Sequence, residues 1–138
     1  MAYALEPFVA GQLGEGTRLD LSTRPPTVEA VEYLLDAPTD EDLIESFPVY
    51  LVSEGLATMM TDARLEGFTL EEARVARSRE YVEIYGDDGH KSYRWLRLRP
   101  DANVDCWIDD EYRLCVSDRM MAVLAEGVLD ECDVIPLP

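Results

Sequence analysis

Leu51-Val52-Ser53-Glu54-Gly55-Leu56-Ala57-Thr58-Met59-Met60 and, sixty-four residues later, Cys115-Val116-Ser117-Asp118-Arg119-Met120-Met121-Ala122-Val123-Leu124 follow one plan. In each, a β-rich run ends at a serine whose hydroxyl can accept one of the orphan N–H groups of a helix start. An acid takes the first helical position, where the helix dipole favours negative charge. Apolar residues then recur at helical spacing: Leu56, Met59 and Met60 in the first stretch, Met120, Val123 and Leu124 in the second. A leucine follows each helix (Leu65, Leu129), and then another strand-like run, 68–70 and 132–135. The spacing predicts two strand–helix–strand pseudo-repeats, at about 49–70 and 113–135.

Upstream of the first unit, Pro25-Pro26 breaks the chain before Thr27. Thr27 is a good N-cap residue, and the spacing of Val28, Val31, Leu34 and Leu35 predicts a short helix that ends at Pro38. Thr39 with Asp42 has the form of a capping box and predicts a helical turn over 40–46. The run Val49-Tyr50-Leu51-Val52 after Pro48 reads as a buried strand. Residues 69–78 read either as a helix opened by Thr69 and Glu72 or as a strand through Leu70 and Val75. Gly86-Asp87-Asp88-Gly89 is a turn. Over 92–98, Tyr93 and Trp95 alternate with Arg94, Leu96 and Leu98, the pattern of a strand. Together these segments predict a single α+β domain over residues 1–138. It has one mixed or antiparallel sheet of about five to seven strands and about three or four short helices.

The 138 residues suit one domain, and 47% apolar with 30% charged residues is a globular balance. The charge is unusual: 29 Asp and Glu against 12 Lys and Arg give a formal −17. A conventional nucleic-acid binder is excluded, because phosphate recognition needs clustered positive charge. Docking on an anionic membrane is disfavoured for the same reason, whereas a basic protein is attracted. The net charge is −1 over 1–27, −11 over 28–72, +3 over 73–99 and −8 over 100–138. The basic middle is expected to pair with its acidic neighbours. No apolar run approaches the roughly 18 residues of a membrane span, and MAYALEPFVAGQLGEG has no charged-then-apolar leader pattern. A cytoplasmic protein is the expectation.

Little in the chain points to catalysis. Cys106, Cys115 and Cys132 lack C-x-x-C spacing, and His90 is the single histidine, so neither a metal nor a redox pair is expected. No G-x-S-x-G elbow surrounds any serine, and Gly11-Gln12-Leu13-Gly14-Glu15-Gly16 lacks the Lys-Ser/Thr of a phosphate loop. No catalytic residue, metal or cofactor is predicted, and the chain does not read as an enzyme. Two acidic stretches remain. Asp40, Glu41, Asp42 and Glu45 form one; Asp105, Asp109, Asp110 and Glu111 around Trp107 form the other. Carboxylates that pair with Lys or Arg, beside an aromatic anchor, suit a partner-binding surface.

Arg94-Trp95-Leu96, Asp109-Asp110, Leu114-Cys115-Val116-Ser117, Leu124, Cys132 and Ile135-Pro136-Leu137 carry a resemblance. Over about 48–137 the chain resembles immunity proteins of bacterial polymorphic-toxin and contact-dependent competition systems, in particular their uncharacterised-domain and double-CXXCG-type families. It departs from the latter in having no CXXC pair. The resemblance implies a cytoplasmic antitoxin-like protein that binds and neutralises a cognate toxin by occlusion, with no catalytic residue of its own. An acidic protein suits a basic toxin. The alternative is a DNA mimic that inhibits DNA-binding defence proteins. The basic 73–99 segment argues against it, since a mimic needs one evenly acidic face.

Overall fold

In the computed structural model, which describes residues 1–101 and 104–138, the described residues form thirteen strands and three helices. First come β1 (Ala2–Glu6), β2 (Gly11–Leu13), β3 (Arg18–Asp20), β4 (Thr27–Ala30) and β5 (Glu32–Leu35). A hairpin of β6 (Leu43–Ser46) and β7 (Val49–Ser53) leads into α1 (Glu54–Asp62). Next are β8 (Phe68–Glu71), β9 (Arg74–Arg77), α2 (Arg79–Tyr85) and β10 (Tyr93–Leu98). The last four are β11 (Cys106–Ile108), β12 (Leu114–Ser117), α3 (Asp118–Leu124) and β13 (Asp133–Leu137). The α+β class is as expected. The single sheet of five to seven strands is not: the strands divide among four sheets, because segments read as helix add strands of their own.

The two four-stranded sheets share a layout. One runs β6-β7-β10-β8 and the other β11-β12-β1-β13, and every neighbouring pair is antiparallel. Their registers keep the sequence offset noted above. Thr69, Leu70 and Glu71 lie opposite Arg97, Leu96 and Trp95, while Asp133, Val134 and Ile135 lie opposite Glu6, Leu5 and Ala4. The N-terminal strand β1 thus occupies in its sheet the place that β10 occupies in the other.

Both serines cap their helices. Ser53 Oγ accepts from the Leu56 N–H at 3.2 Å, and Ser117 Oγ from the Met120 N–H at 3.1 Å. The stripes behind them, Leu56 and Met60 on α1, Met120 and Leu124 on α3, are buried in one core cluster with Leu5, Leu43, Tyr50 and Val52. Each such side chain contributes on the order of 2 kcal/mol on burial. Strand β7 is buried along its whole length. Tyr50 and Val52 enter this cluster, whereas Val49 and Leu51 enter a second one with Tyr33, Leu35, Tyr81, Tyr93 and Trp95. A strand covered on both faces needs an unbroken apolar run, and residues 49–52 supply it. The three-stranded sheet β2-β5-β9 supplies Tyr33 and Leu35 to the second cluster.

Three local readings are corrected or resolved. Residues 27–35 form strands β4 and β5, not a helix. The side chains they bury most completely are Val31, Tyr33 and Leu35, a period of two that shares 31 and 35 with the helical spacing 28, 31, 34 and 35. Residues 43–46 are strand β6, paired with β7 across Phe47-Pro48, not part of a helical turn. The Thr39 hydroxyl does accept a backbone N–H, that of Glu41 at 3.1 Å, but it closes only a turn. Residues 69–78 contain no helix: β8 joins β10, and β9 runs parallel to β5. Among the described residues, no helix is long and apolar enough to cross a membrane.

Candidate functional site

Asp42 and Asp105 each precede the outer strand of a hairpin, and each ties that hairpin to the loop after the opposite helix. Asp105 accepts from the Glu66 N–H at 2.7 Å, Ser117 Oγ at 2.7 Å and Arg119 Nη2 at 2.6 Å. Asp42 accepts from the Val128 N–H at 2.7 Å and Lys91 Nζ at 2.8 Å. Burial alone would raise both carboxyl pKa values. These donors outweigh it and hold both below the usual carboxylate value. Glu41, 2% exposed, accepts the N–H groups of Asp130 and Glu131. Glu41 and Asp105 (3% exposed) are therefore corrected from partner contacts to internal ties, because an anion this deep is retained only where donors surround it.

The remaining predicted residues divide by position. Asp40, Asp110 and Glu111 are exposed, while Asp109 is half-buried and held by Arg113 Nη2 at 2.8 Å. Trp107 is half-buried on β11, opposite Cys115 of β12. Trp107 is not among the residues lining the cavity at Glu45. Glu45 instead meets the turn between β11 and β12 across an open cavity of about 500 Å³. Glu45 comes from β6 and Glu6 from the end of β1, while Glu131 and Asp133 come from the chain entering β13. The fourth wall is Tyr112 and Arg113. Burial, reinforced by the Glu6 carboxylate, pushes the Glu45 carboxyl up to about 7.

Tyr112 also lines a second hollow of about 240 Å³, with Leu21, Pro25, Pro26 and Phe47. The Tyr112 and Phe47 rings meet edge to face with centroids 6.0 Å apart. Both are large and exposed, Phe47 at 42% and Tyr112 at 47%. Tyr112 holds φ at 60°, in the left-handed region that favours glycine. Sequence reasoning passed over Phe47, Tyr112, Glu6, Glu131 and Asp133. The signal that was present is an aromatic residue just after the acidic run Asp109–Glu111 and another just before Pro48.

The three thiols are poor nucleophiles. Burial raises the thiol pKa of Cys106 to about 12 and those of Cys115 and Cys132 to about 11, which keeps all three protonated and weakly nucleophilic at neutral pH. The His90 ring packs edge-on against Tyr81, with centroids 6.4 Å apart. Among the described residues, no group of three or more His, Cys, Asp or Glu stands in a geometry that could hold a metal ion. No family model, no curated protein and no solved structure matches this chain. The arrangement offers anionic and apolar surface side by side.

Proposed function

We propose that this protein is an antitoxin-like immunity protein that binds a basic toxin domain and neutralises it by occlusion. The supporting observation is the disposition of charge. Arg74, Arg97, Arg113, Arg119 and Lys91 are engaged with Glu32, Glu71, Asp109, Asp105 and Asp42. Arg77 and Arg94 donate to backbone carbonyls. Asp40, Asp110, Glu131 and Asp133 stay exposed, and the chain as a whole carries −17. Such a surface accelerates association with a basic partner and rejects phosphate.

The test is capture of partners by the tagged protein from its native lysate at low and moderate salt, followed by mass spectrometry. A single stoichiometric basic protein is expected, and adding the purified pair to a toxicity assay should abolish the toxin's effect. A spread of DNA-binding proteins displaced by free DNA would instead establish a DNA mimic. Once a partner is in hand, Asp110→Lys with Glu111→Lys is expected to slow association about tenfold and to flatten its salt dependence, because rim charges act mainly on the on-rate. An unchanged on-rate at low salt would remove this turn from the contact surface. Asp109 is left out of that variant, since its bonds to Arg113 hold the turn together.

A further inference from the structure

We infer that Tyr112 divides a two-part docking surface, in which the acidic cavity takes a Lys or Arg side chain and the apolar notch takes a neighbouring aromatic or aliphatic side chain of the same protein segment. The inference rests on the proposed binding of a basic protein and adds where, and by what chemistry, that partner is held.

Charge and shape select this occupant. Around Glu45 stand Glu6 on β1, Tyr50 on β7, Tyr33 on β5, and Glu131, Cys132 and Asp133 at the start of β13. Among the described residues that line the cavity, Arg113 is the one cation, and Asp109 already neutralises it at 2.8 Å. An incoming ammonium or guanidinium relieves the repulsion between Glu6 and Glu45, whereas an anion would add to it. Beyond the Tyr112 ring, the notch is apolar apart from Thr23 and Arg24, and Leu21 at its edge is 73% exposed. Arg24 can lie over an incoming aromatic ring. A second copy of this chain is a poor occupant, because each copy carries −17. An anionic lipid or nucleic acid meets the same repulsion. A basic protein segment with an apolar neighbour satisfies both halves at once, and exposed aromatics beside a charged rim are the composition of binding hot spots.

The experiment titrates the ¹⁵N-labelled full chain with three blocked tetrapeptides at low salt and pH 8: Gly-Arg-Trp-Gly, Gly-Arg-Gly-Gly and Gly-Glu-Trp-Gly. The Arg-Trp peptide is expected to shift the amides of Glu45, Phe47, Tyr112 and Arg113 and to bind about tenfold tighter than either control. Lowering the pH to 6 protonates Glu45 and weakens the Arg-Trp peptide several-fold. Tyr112→Gly, which suits the left-handed backbone, keeps the fold without lowering its Tm but loses the preference for Arg-Trp over Arg-Gly. Glu45→Gln removes the preference for Arg-Trp over Glu-Trp. Equal affinity for Arg-Trp and Arg-Gly, or shifts centred away from these residues, overturns the docking surface and leaves the immunity reading to the partner capture. The expected shifts without any basic partner from the lysate overturn the immunity reading and leave the surface standing.

Discussion

Asp105 and Glu45 are both partly withdrawn from water, and their surroundings push them in opposite directions. Asp105 faces Arg119, Ser117 Oγ and the Glu66 N–H, so its carboxyl pKa is lowered. The stability it contributes is present above the unfolded carboxylate value and is lost as pH falls through the folded one. Asp105→Ala should cost about 3 kcal/mol at pH 7 by urea denaturation, with a shallower loss of stability in acid than the parent shows. Glu45 has a raised pKa of about 7, so the sign reverses. Its contribution is full below the unfolded value and is lost as pH rises through about 7. Glu45→Gln should therefore be more stable than the parent by about 2 kcal/mol at pH 8, with the two converging near pH 4. Tyr112→Gly tests a third kind of residue. Relief of the positive φ should raise stability by up to about 1 kcal/mol, the reverse of what truncating a core aromatic would do.

Helices α1 and α3 were the most legible elements, because their formation depends on neighbours in sequence. A serine cap, an acid in the first turn and the i, i+4 pairs Leu56–Met60 and Met120–Leu124 act within a few residues of one another and hold in the fold. At i+3 Val123 packs on the core, whereas on α1 Ala57 rather than Met59 is buried. Ser53→Ala should cost about 1 kcal/mol, the usual value for a lost N-cap. Ser117→Ala should cost about twice that, because the same oxygen also donates to Asp105 at 2.7 Å. Equal losses in thermal or urea melts would mean that the Asp105 bond adds nothing. Strands β4, β5 and β6 were not legible. Val31 and Leu35 satisfy both a helical and a strand period, and the partners that decide, β3 for β4, β2 and β9 for β5 and β7 for β6, lie elsewhere in the chain. In the site, carboxylates read as two acidic partner-binding stretches divide into internal ties (Glu41, Asp42, Asp105) and exposed acids (Asp40, Asp110, Glu111), a distinction no local pattern encodes.

On the scale of the whole molecule, a net −17 over 138 residues opposes compaction by self-repulsion. Salt screens that repulsion, so the urea midpoint should rise between about 10 mM and 500 mM NaCl as the Debye length falls from ~30 Å to below 8 Å. A midpoint that falls would mean that favourable ion pairs such as Arg119–Asp105 dominate the balance. Residue counts and short-range spacing determined the α+β class, the net acidity, and the two capped helices sixty-four residues apart. These follow from sums over the chain or from bonds within one helical turn. Tertiary structure alone decided that β1 completes the sheet of β12, that Asp42 and Asp105 turn inward, and that Glu6, Glu45, Tyr112 and Asp133 line one cavity. Each of those depends on which distant strand supplies the hydrogen bonds, and strand pairing is a long-range choice that a local pattern permits without selecting.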